Sequence, residues 1–400
     1  GFRVIEEDIY QRTIEALEGT ELGKKDVLRC KNFYTLGMMY WLFSRPLEPT
    51  LEWLDIKFAK MPELADANGR ALKAGYNHGE LLRLFQGRYE VPKVEDVPAG
   101  TYRNIMGNQA LAIGLVAGAQ MAGLKAFLGS YPITPATDIL QYMSLMKNFD
   151  VITCQMEDEI AGICTALGAS FAGRLGMTTT SGPGLALKTE TLGLAVITEL
   201  PLVVVDVQRA GPSTGLPTKV EQADLLQSMF GRNSEAPLPV LACSCPADAF
   251  DCAVEACRIA TQYMTPVILL SDNYIANGAE PWKLPEMEDL KGFPVKFVTD
   301  PEGFTPYNRD EKLARGWAKP GTPGLSHRIG GLEKDSKTGN VSHDPENHQI
   351  MVNLRKQKVA NVADSIPTPA LNGPDSGALL VVAWGSTYGA ARAAVERMQK

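Results

Sequence analysis

Pro201-Leu-Val-Val-Val-Asp-Val-Gln-Arg209-Ala-Gly-Pro212 is the stretch that decides the fold. From Leu202 to Val207 the run is apolar on both faces, and Gly211-Pro212 closes it. A strand with one wet face alternates polar and apolar residues. A strand with two buried faces does not, and belongs to a parallel sheet covered by helices. The same short pattern recurs at Lys125–Gly129, Val151–Cys154, Gly176–Thr179 and Val267–Ser271. Between these runs lie helical patterns at Asn108–Met121, Thr137–Met146, Glu157–Ala172, Leu185–Thr198 and Pro246–Tyr263. Alternation of this kind from Asn104 to about Asn277 predicts an α/β fold, a parallel sheet with helices on both faces and right-handed crossovers.

In such a sheet the C-terminal strand ends share one rim, and ligands bind along it. Three segments fall there: Ser130-Tyr131-Pro132-Ile133-Thr134-Pro135, Glu157-Asp158-Glu159 and Gln208-Arg209. Together they predict a cleft holding a hydroxyl, a buried carboxylate and a guanidinium. That set suits an anionic acid bound beside a heterocyclic cofactor.

Each candidate carries a plainer alternative. Pro132 and Pro135 bracket a rigid turn that can present Thr134 to a ligand, but Thr134 could equally cap the next helix. Glu157, Asp158 and Glu159 suit a helix N-terminus as solvated acids. Against that, the following helix is rich in Ala and Gly (Ala161, Gly162, Ala166, Gly168, Ala169), which lets it pack closely and bury one acid. A carboxyl buried in apolar surroundings can share a proton with a ring nitrogen. Thr180-Ser181-Gly182-Pro183-Gly184 could bring amides to an anion or be a simple strand–helix turn. It is not a phosphate-binding G-x-x-x-x-G-K-[ST] loop. Arg209 suits bidentate carboxylate binding, or an ion pair with a neighbouring acid. Gly211–Thr218 would fold over the site.

The 400 residues, 45% hydrophobic and 21% charged, are ordinary for a globular protein of two or three domains. A net charge of −7 gives no electrostatic case for nucleic acid or an anionic membrane surface. No apolar run reaches the roughly 18 residues of a membrane span, and no leader pattern opens the chain. Seven cysteines, an odd number without a C-x-x-C, argue against disulfide and zinc frameworks and for a reducing cytoplasm. The four histidines lack metal-ligand spacing. No G-x-G-x-x-G follows the first strand, which counts against a nicotinamide-binding dehydrogenase.

Residues 1–95 carry helical patterns, with Asn32–Phe43 and Thr50–Lys60 amphipathic and breaks at Pro46, Pro49, Pro62 and Gly75. Glu90–Thr101 reads as a linker. Residues 281–375 are polar and rich in Pro and Gly, and their aromatic content favours an ordered arm over disorder. Ala378–Trp384 reads as a strand followed by a helix, opening a new unit over 376–400. The unusual start Gly1-Phe-Arg-Val and this late unit suggest a segment of a longer polypeptide.

Gly107–Leu284 resembles the α subunit of 2-oxoacid:ferredoxin oxidoreductases, most nearly the 2-oxoglutarate type. The residues that carry the resemblance are Ser130-Tyr-Pro-Ile-Thr-Pro-Ala-Thr-Asp138, Gln155-Met-Glu-Asp-Glu-Ile-Ala161, Thr180-Ser-Gly-Pro-Gly184, Gln208-Arg-Ala-Gly-Pro-Ser-Thr-Gly-Leu-Pro-Thr218 and Pro320-Gly-Thr-Pro-Gly-Leu-Ser-His-Arg-Ile-Gly-Gly331. Ala136 departs from the family, where many members carry Ser. The resemblance implies that 96–280 is the pyrimidine-binding domain of a thiamine diphosphate fold. It implies that residues 1–95 are the helical tail of a fused γ domain and a linker, and that 376–400 begin a transketolase C-terminal-like domain.

It further implies that Glu159 bonds the cofactor's pyrimidine ring nitrogen. Tyr131, Pro132, Ile133, Ser181 and Gly182 line the cofactor, and Thr134 and Arg209 hold the substrate carboxylate. The chain lacks a Gly-Asp-Gly…Asn-Asn diphosphate motif and clustered cysteines. The resemblance therefore implies a β subunit carrying Mg²⁺, the diphosphate site and a [4Fe–4S] cluster, in a dimer of αβ units. The expected reaction is 2-oxoglutarate with coenzyme A to succinyl-CoA and CO₂, reducing ferredoxin, or the reverse. Rival readings are the same chemistry on pyruvate or a branched-chain acid, and a non-catalytic scaffold.

Overall fold

Valines at successive positions of one strand face opposite cores, and this parity organises the main unit. The computed structural model describes residues 4, 6–81, 87–92 and 94–399, so the start Gly1-Phe-Arg and part of the linker lie outside the described residues. The chain divides into two units, residues 1–99 and 100–400.

The second unit holds β1 (Tyr102–Met106), β2 (Ala126–Ser130), β3 (Ile152–Gln155), β4 (Leu175–Thr180), β5 (Leu202–Gln208), β6 (Val240–Ala242), β7 (Pro266–Asp272) and β8 (Ala279–Lys283). Six of these form a parallel sheet in the order β3-β2-β4-β5-β7-β6. Val203, Val205 and Val207 of β5, with Val267 and Leu269 of β7, enter one core beneath the helices Gly107–Met121 and Asp248–Tyr263. Leu202 and Val204, with Ile268 and Leu270, enter a second core beneath Glu159–Phe171 and Thr189–Thr198. Both faces of β5 and β7 are thereby buried, as their unbroken apolar sequence predicts.

The chain leaves β2 to one side for β3 and returns on the other side for β4. The crevice between the ends of β2 and β4 is therefore the topological switch point, where open α/β sheets bind ligands. Ser130 Oγ ties the two strands there, donating to the Thr179 carbonyl at 2.9 Å. The helix Glu159–Phe171 presses against this seam: a Cβ on Gly176 would lie 2.0 Å from the Ala166 carbonyl. Its run of small residues is what allows that approach.

Several elements differ from the sequence reading. The expected strand Ala378–Trp384 has no strand geometry. Leu379, Leu380, Val381 and Val382 are exposed, and no strand lies beside them among the described residues, so the pattern lacks the partner a strand requires. The helix after it is present at Thr387–Met398. The helix expected over Leu185–Thr198 is broken at Lys188 into Gly182–Leu187 and Thr189–Thr198. An antiparallel β1–β8 ribbon was not legible, because Pro281 and scattered charges mask its alternation. The polar arm is ordered, burying Tyr307, Trp317 and Leu325, and it contains the helix Pro345–Asn361.

The first unit has five helices among the described residues: Ile9–Ala16, Lys24–Arg29, Lys31–Leu42, Glu48–Lys57 and Pro62–Leu81. Gly75 breaks nothing. It lies inside the last helix, where a Cβ would fall 1.8 Å from the Tyr34 carbonyl, so it serves a close helix crossing.

Candidate functional site

The turn after β2 is held from two sides. Asn108, fully buried at the first turn of its helix, donates to the Pro135 carbonyl at 2.8 Å. Arg209, at the end of β5, donates through Nη1 to the Thr134 carbonyl at 2.6 Å. Thr134 does not cap the next helix: Ala136 occupies the cap position and no side chain caps it. The Thr134 side chain and Tyr131 are exposed, while Pro132 and Ile133 are half-buried.

Arg209 is buried and makes no ion pair among the described residues, which removes the alternative of a structural salt bridge. Its Nη2 donates to the Thr214 carbonyl at 3.1 Å, bringing the loop after β5 alongside. Its Nε has no partner. Of five N–H groups, two are engaged and three are free for an anion.

The three acids after β3 separate by position. Asp158 caps the helix, accepting from the Ala161 amide at 2.7 Å, and is exposed, as is Glu157. Glu159 turns inward and is 8% exposed. Neither of its carboxylate oxygens bonds to any described residue. The carboxylate leans over Gly184, where a Cβ would meet Glu159 Oε1 at 3.0 Å and Thr180 Oγ1 at 2.1 Å. Ser181 is fully buried with an unpartnered hydroxyl, and it opens the short helix Gly182–Leu187 without a side-chain cap bond.

Three further residues belong here and were not singled out by sequence reasoning. Lys188 is fully buried and donates to the Glu159 carbonyl at 2.8 Å. Burial lowers its pKa to about 8, against the opposing pull of Glu159, Asp158 and Cys164. Asp206 lies inside β5, fully buried, beside Asp224. Burial, then the charge of Asp224, raises its pKa well above the ordinary value, and burial raises that of Asp224 as well. Asp206 was visible as a lone charge among valines, whereas Lys188, followed by Thr189 and Glu190, carried no such signal. Asp224 carried none either. It faces Gly182, where a Cβ would lie 2.7 Å from Oδ2, and its amide donates to Gln208 Oε1 at 3.0 Å.

A continuous series of contacts therefore runs from Glu159 through Gly184, Gly182, Asp224 and Gln208 to Arg209 and Thr134. The site combines a desolvated carboxylate without a donor, a buried hydroxyl without a partner, and a guanidinium without a counter-ion. It can hold a flat group bearing a protonated ring nitrogen beside a small carboxylate.

Residues 117–346 match the family model described as pyruvate flavodoxin/ferredoxin oxidoreductase, thiamine diphosphate-binding. The chain is 53% identical over 390 residues to the 2-oxoglutarate oxidoreductase subunit KorA of Mycobacterium tuberculosis, covering 97% of this chain and 59% of that protein. It is 36% identical to the 2-oxoglutarate synthase subunit KorA of Archaeoglobus fulgidus, covering 73% of this chain and 75% of that one. Among solved structures it is similar to a 2-oxoglutarate:ferredoxin oxidoreductase from Magnetococcus marinus, bound to 2-oxoglutarate, coenzyme A and succinyl-CoA. The TM-score is 0.85 and the identity 33%, over 97% of this chain and 66% of that one. The chain thus spans about 59% of the mycobacterial relative's length.

Proposed function

The chain belongs to the thiamine diphosphate-binding pyruvate flavodoxin/ferredoxin oxidoreductase family, and from that premise we propose that it is the α part of a 2-oxoglutarate:ferredoxin oxidoreductase. The overall reaction converts 2-oxoglutarate and coenzyme A to succinyl-CoA and CO₂, passing two electrons to ferredoxin, or runs in reverse. Residues 1–95 are read as the tail of a fused γ domain and its linker, 96–280 as the pyrimidine-binding domain, 281–375 as an arm, and 376–400 as the start of a transketolase C-terminal-like domain.

The observation that carries the reading is the Glu159 carboxylate, buried at the sheet's switch point with no donor in the described chain. A buried carboxylate is stable only when its lone pairs are met, and the protonated pyrimidine of thiamine diphosphate is a group that would meet them. Gly184 lets the Glu159 side chain lie directly against the turn, a Cβ there meeting Glu159 Oε1 at 3.0 Å, and Ser181 Oγ is a second polar group without a partner. Bound there, the cofactor supplies the carbanion chemistry of decarboxylation.

The protein's share of the work is positional. Glu159 holds the proton-bearing ring nitrogen. Tyr131, Pro132, Ile133 and Gly182 wall the ring. Arg209 presents its free N–H groups, Nε among them, and Thr134 its hydroxyl, to the substrate's C1 carboxylate. Holding that carboxylate fixes the reacting carbon and lowers the entropic cost of reaching the transition state.

We assign Mg²⁺, the diphosphate and a [4Fe–4S] cluster to a β partner, in a dimer of αβ units. Ile160, Leu187, Leu216, Leu226 and Phe230 support such a partner. All are exposed apolar side chains on the segments that frame the site, and apolar patches of this kind mark interfaces.

The test is viologen reduction by the full-length chain co-purified with its partner. Reduction that needs coenzyme A and responds to 2-oxoglutarate but not pyruvate supports the proposal. Reduction with pyruvate alone moves the substrate assignment. No reduction by a complex containing thiamine diphosphate and iron favours a scaffold.

A further inference from the structure

Lys188 stands apart from every other cation near the rim. It ends the short helix Gly182–Leu187 and begins Thr189–Thr198, with non-helical continuity at φ −90° and ψ −4°. The break turns its side chain inward, where it is fully buried. It forms no ion pair among the described residues, and its one hydrogen bond is to the Glu159 carbonyl at 2.8 Å. A fully buried lysine without a carboxylate partner is rare, because desolvating an ammonium is expensive. A leucine would complete the apolar helix face at lower cost.

We propose that Lys188 is a positioning residue for Glu159, anchoring the first turn of its helix and placing a positive charge beside its carboxylate at the pyrimidine-binding space. This rests on the reading of Glu159 given above. Two effects follow from the geometry. The bond to the Glu159 carbonyl fixes the helix start against the strand–helix turn that carries Gly184, so the carboxylate points over Gly184 and not toward solvent. The ammonium lies near enough for Glu159 to be the largest counter-charge it feels, ahead of Asp158 and Cys164, which are the other titratable groups facing it. With the lysine's pKa lowered to about 8, this support disappears as pH rises through that value.

Affinity for thiamine diphosphate, measured calorimetrically with Mg²⁺ on the full-length chain and its partner between pH 6.5 and 9.5, separates the possibilities. Wild type is expected to lose affinity with a midpoint near 8. Lys188→Met is expected to bind about ten-fold more weakly at pH 7, the scale of one lost charge-assisted hydrogen bond, and without that midpoint. In a Glu159→Gln background Lys188→Met is expected to have no further effect, since the two residues act as one unit. A midpoint near 8 that persists in Lys188→Met, or penalties that multiply in the double variant, overturns the inference while leaving the cofactor site intact. Wild type that binds no thiamine diphosphate at any pH overturns the site reading and this inference with it. If Lys188→Met does not fold, Glu159→Gln alone decides: survival of the midpoint in that variant also overturns the inference.

Discussion

Arg209 Nη1 and the Thr134 carbonyl lie 2.6 Å apart, joining the end of β5 to the turn after β2 across the width of β4. With Nη2 bound to the Thr214 carbonyl, one guanidinium holds three segments of the rim in register. A lysine keeps the charge but not the planar fork. Arg209→Lys is therefore expected to lower kcat/KM for the 2-oxoacid by about 100-fold, roughly the worth of two charge-assisted hydrogen bonds, while thiamine diphosphate still binds. Steady-state kinetics of the assembled enzyme check this. A kcat/KM within two-fold of wild type would remove Arg209 from the substrate site.

The Asp206–Asp224 pair gives a pH signature of defined sign. Burial raises the Asp206 pKa above its unfolded value of 3.8. Between 3.8 and the folded value, the native state binds more protons than the unfolded chain, so the stability Asp206 contributes is greatest in acid and falls as pH rises. Asp206→Asn carries no such penalty. Its melting temperature should exceed that of wild type at pH 8, with the gap narrowing toward pH 5. A uniform decrease at all pH values counts against a raised Asp206 pKa.

Lys188 has the opposite slope. Its folded pKa, about 8, lies below the ordinary lysine value of 10.5. In that window the unfolded chain binds more protons, so stability rises with pH. The full penalty is present below 8 and amounts to about 3 kcal/mol at most, from a shift of roughly two and a half units. Lys188→Met should thus melt higher than wild type at pH 7 and lose that advantage by pH 10. A residue that weakens the fold but supports the cofactor site is what a functional role predicts. Melting curves across this range check it, and a destabilised Lys188→Met at pH 7 argues for an ordinary structural lysine.

The sheet was legible because its strands carry the signal in their own composition: Leu202–Val207 and Val267–Ser271 are apolar at every buried position except Asp206 and Ser271. Glu159 and Arg209 were legible for a related reason, since a charge placed at a strand end or before an Ala/Gly helix has few places to go. What the sequence does not carry is anything set by a distant partner. The β1–β8 ribbon depends on pairing Tyr102 with Lys283 across the whole sheet domain. The helix Pro345–Asn361 has no apolar stripe, because its buried positions include Asn347, Arg355 and Lys358. Conversely, Ala378–Trp384 has strand composition and no strand to join.

Glu199 explains how so polar a helix can dock. It is 1% exposed and accepts from Arg309 and, at 2.7 Å, from Lys358 Nζ. Arg315 Nε adds bonds to the Thr198 and Glu199 carbonyls, both 3.0 Å. Burial opposes ionisation of Glu199, but Lys358 and Arg309 outweigh it and hold the carboxyl below its ordinary pKa. Glu199→Gln leaves buried cations without a counter-ion, which costs about 3–5 kcal/mol. Chemical denaturation should register that loss at pH 7, and it should shrink in acid as wild-type Glu199 itself becomes protonated. A change under 1 kcal/mol would mean that backbone carbonyls alone satisfy the cluster.

Gly184 tests the site without touching a charged group. A methyl there would lie 2.1 Å from Thr180 Oγ1 and 2.8 Å from Glu159 Cγ, distances no packed Cβ tolerates. The Thr180 hydroxyl can rotate, but Thr180 and Glu159 are both buried, so the carboxylate must leave its place over the turn. Gly184→Ala is expected to weaken thiamine diphosphate binding by about ten-fold or more, the scale of a lost charge-assisted bond. Its melting temperature should fall modestly too, since overpacking against two buried side chains costs about 1–3 kcal/mol and the gain in helix propensity offsets only about 1 of that. Gly182→Ala probes the other end of the same turn. Its methyl meets the Asp224 carboxylate at 2.7 Å and leaves Glu159 where it is. Calorimetric affinities for the two variants separate the roles: equal losses would mean that the turn as a whole binds the cofactor, and an unchanged Gly184→Ala would mean that Glu159 does not.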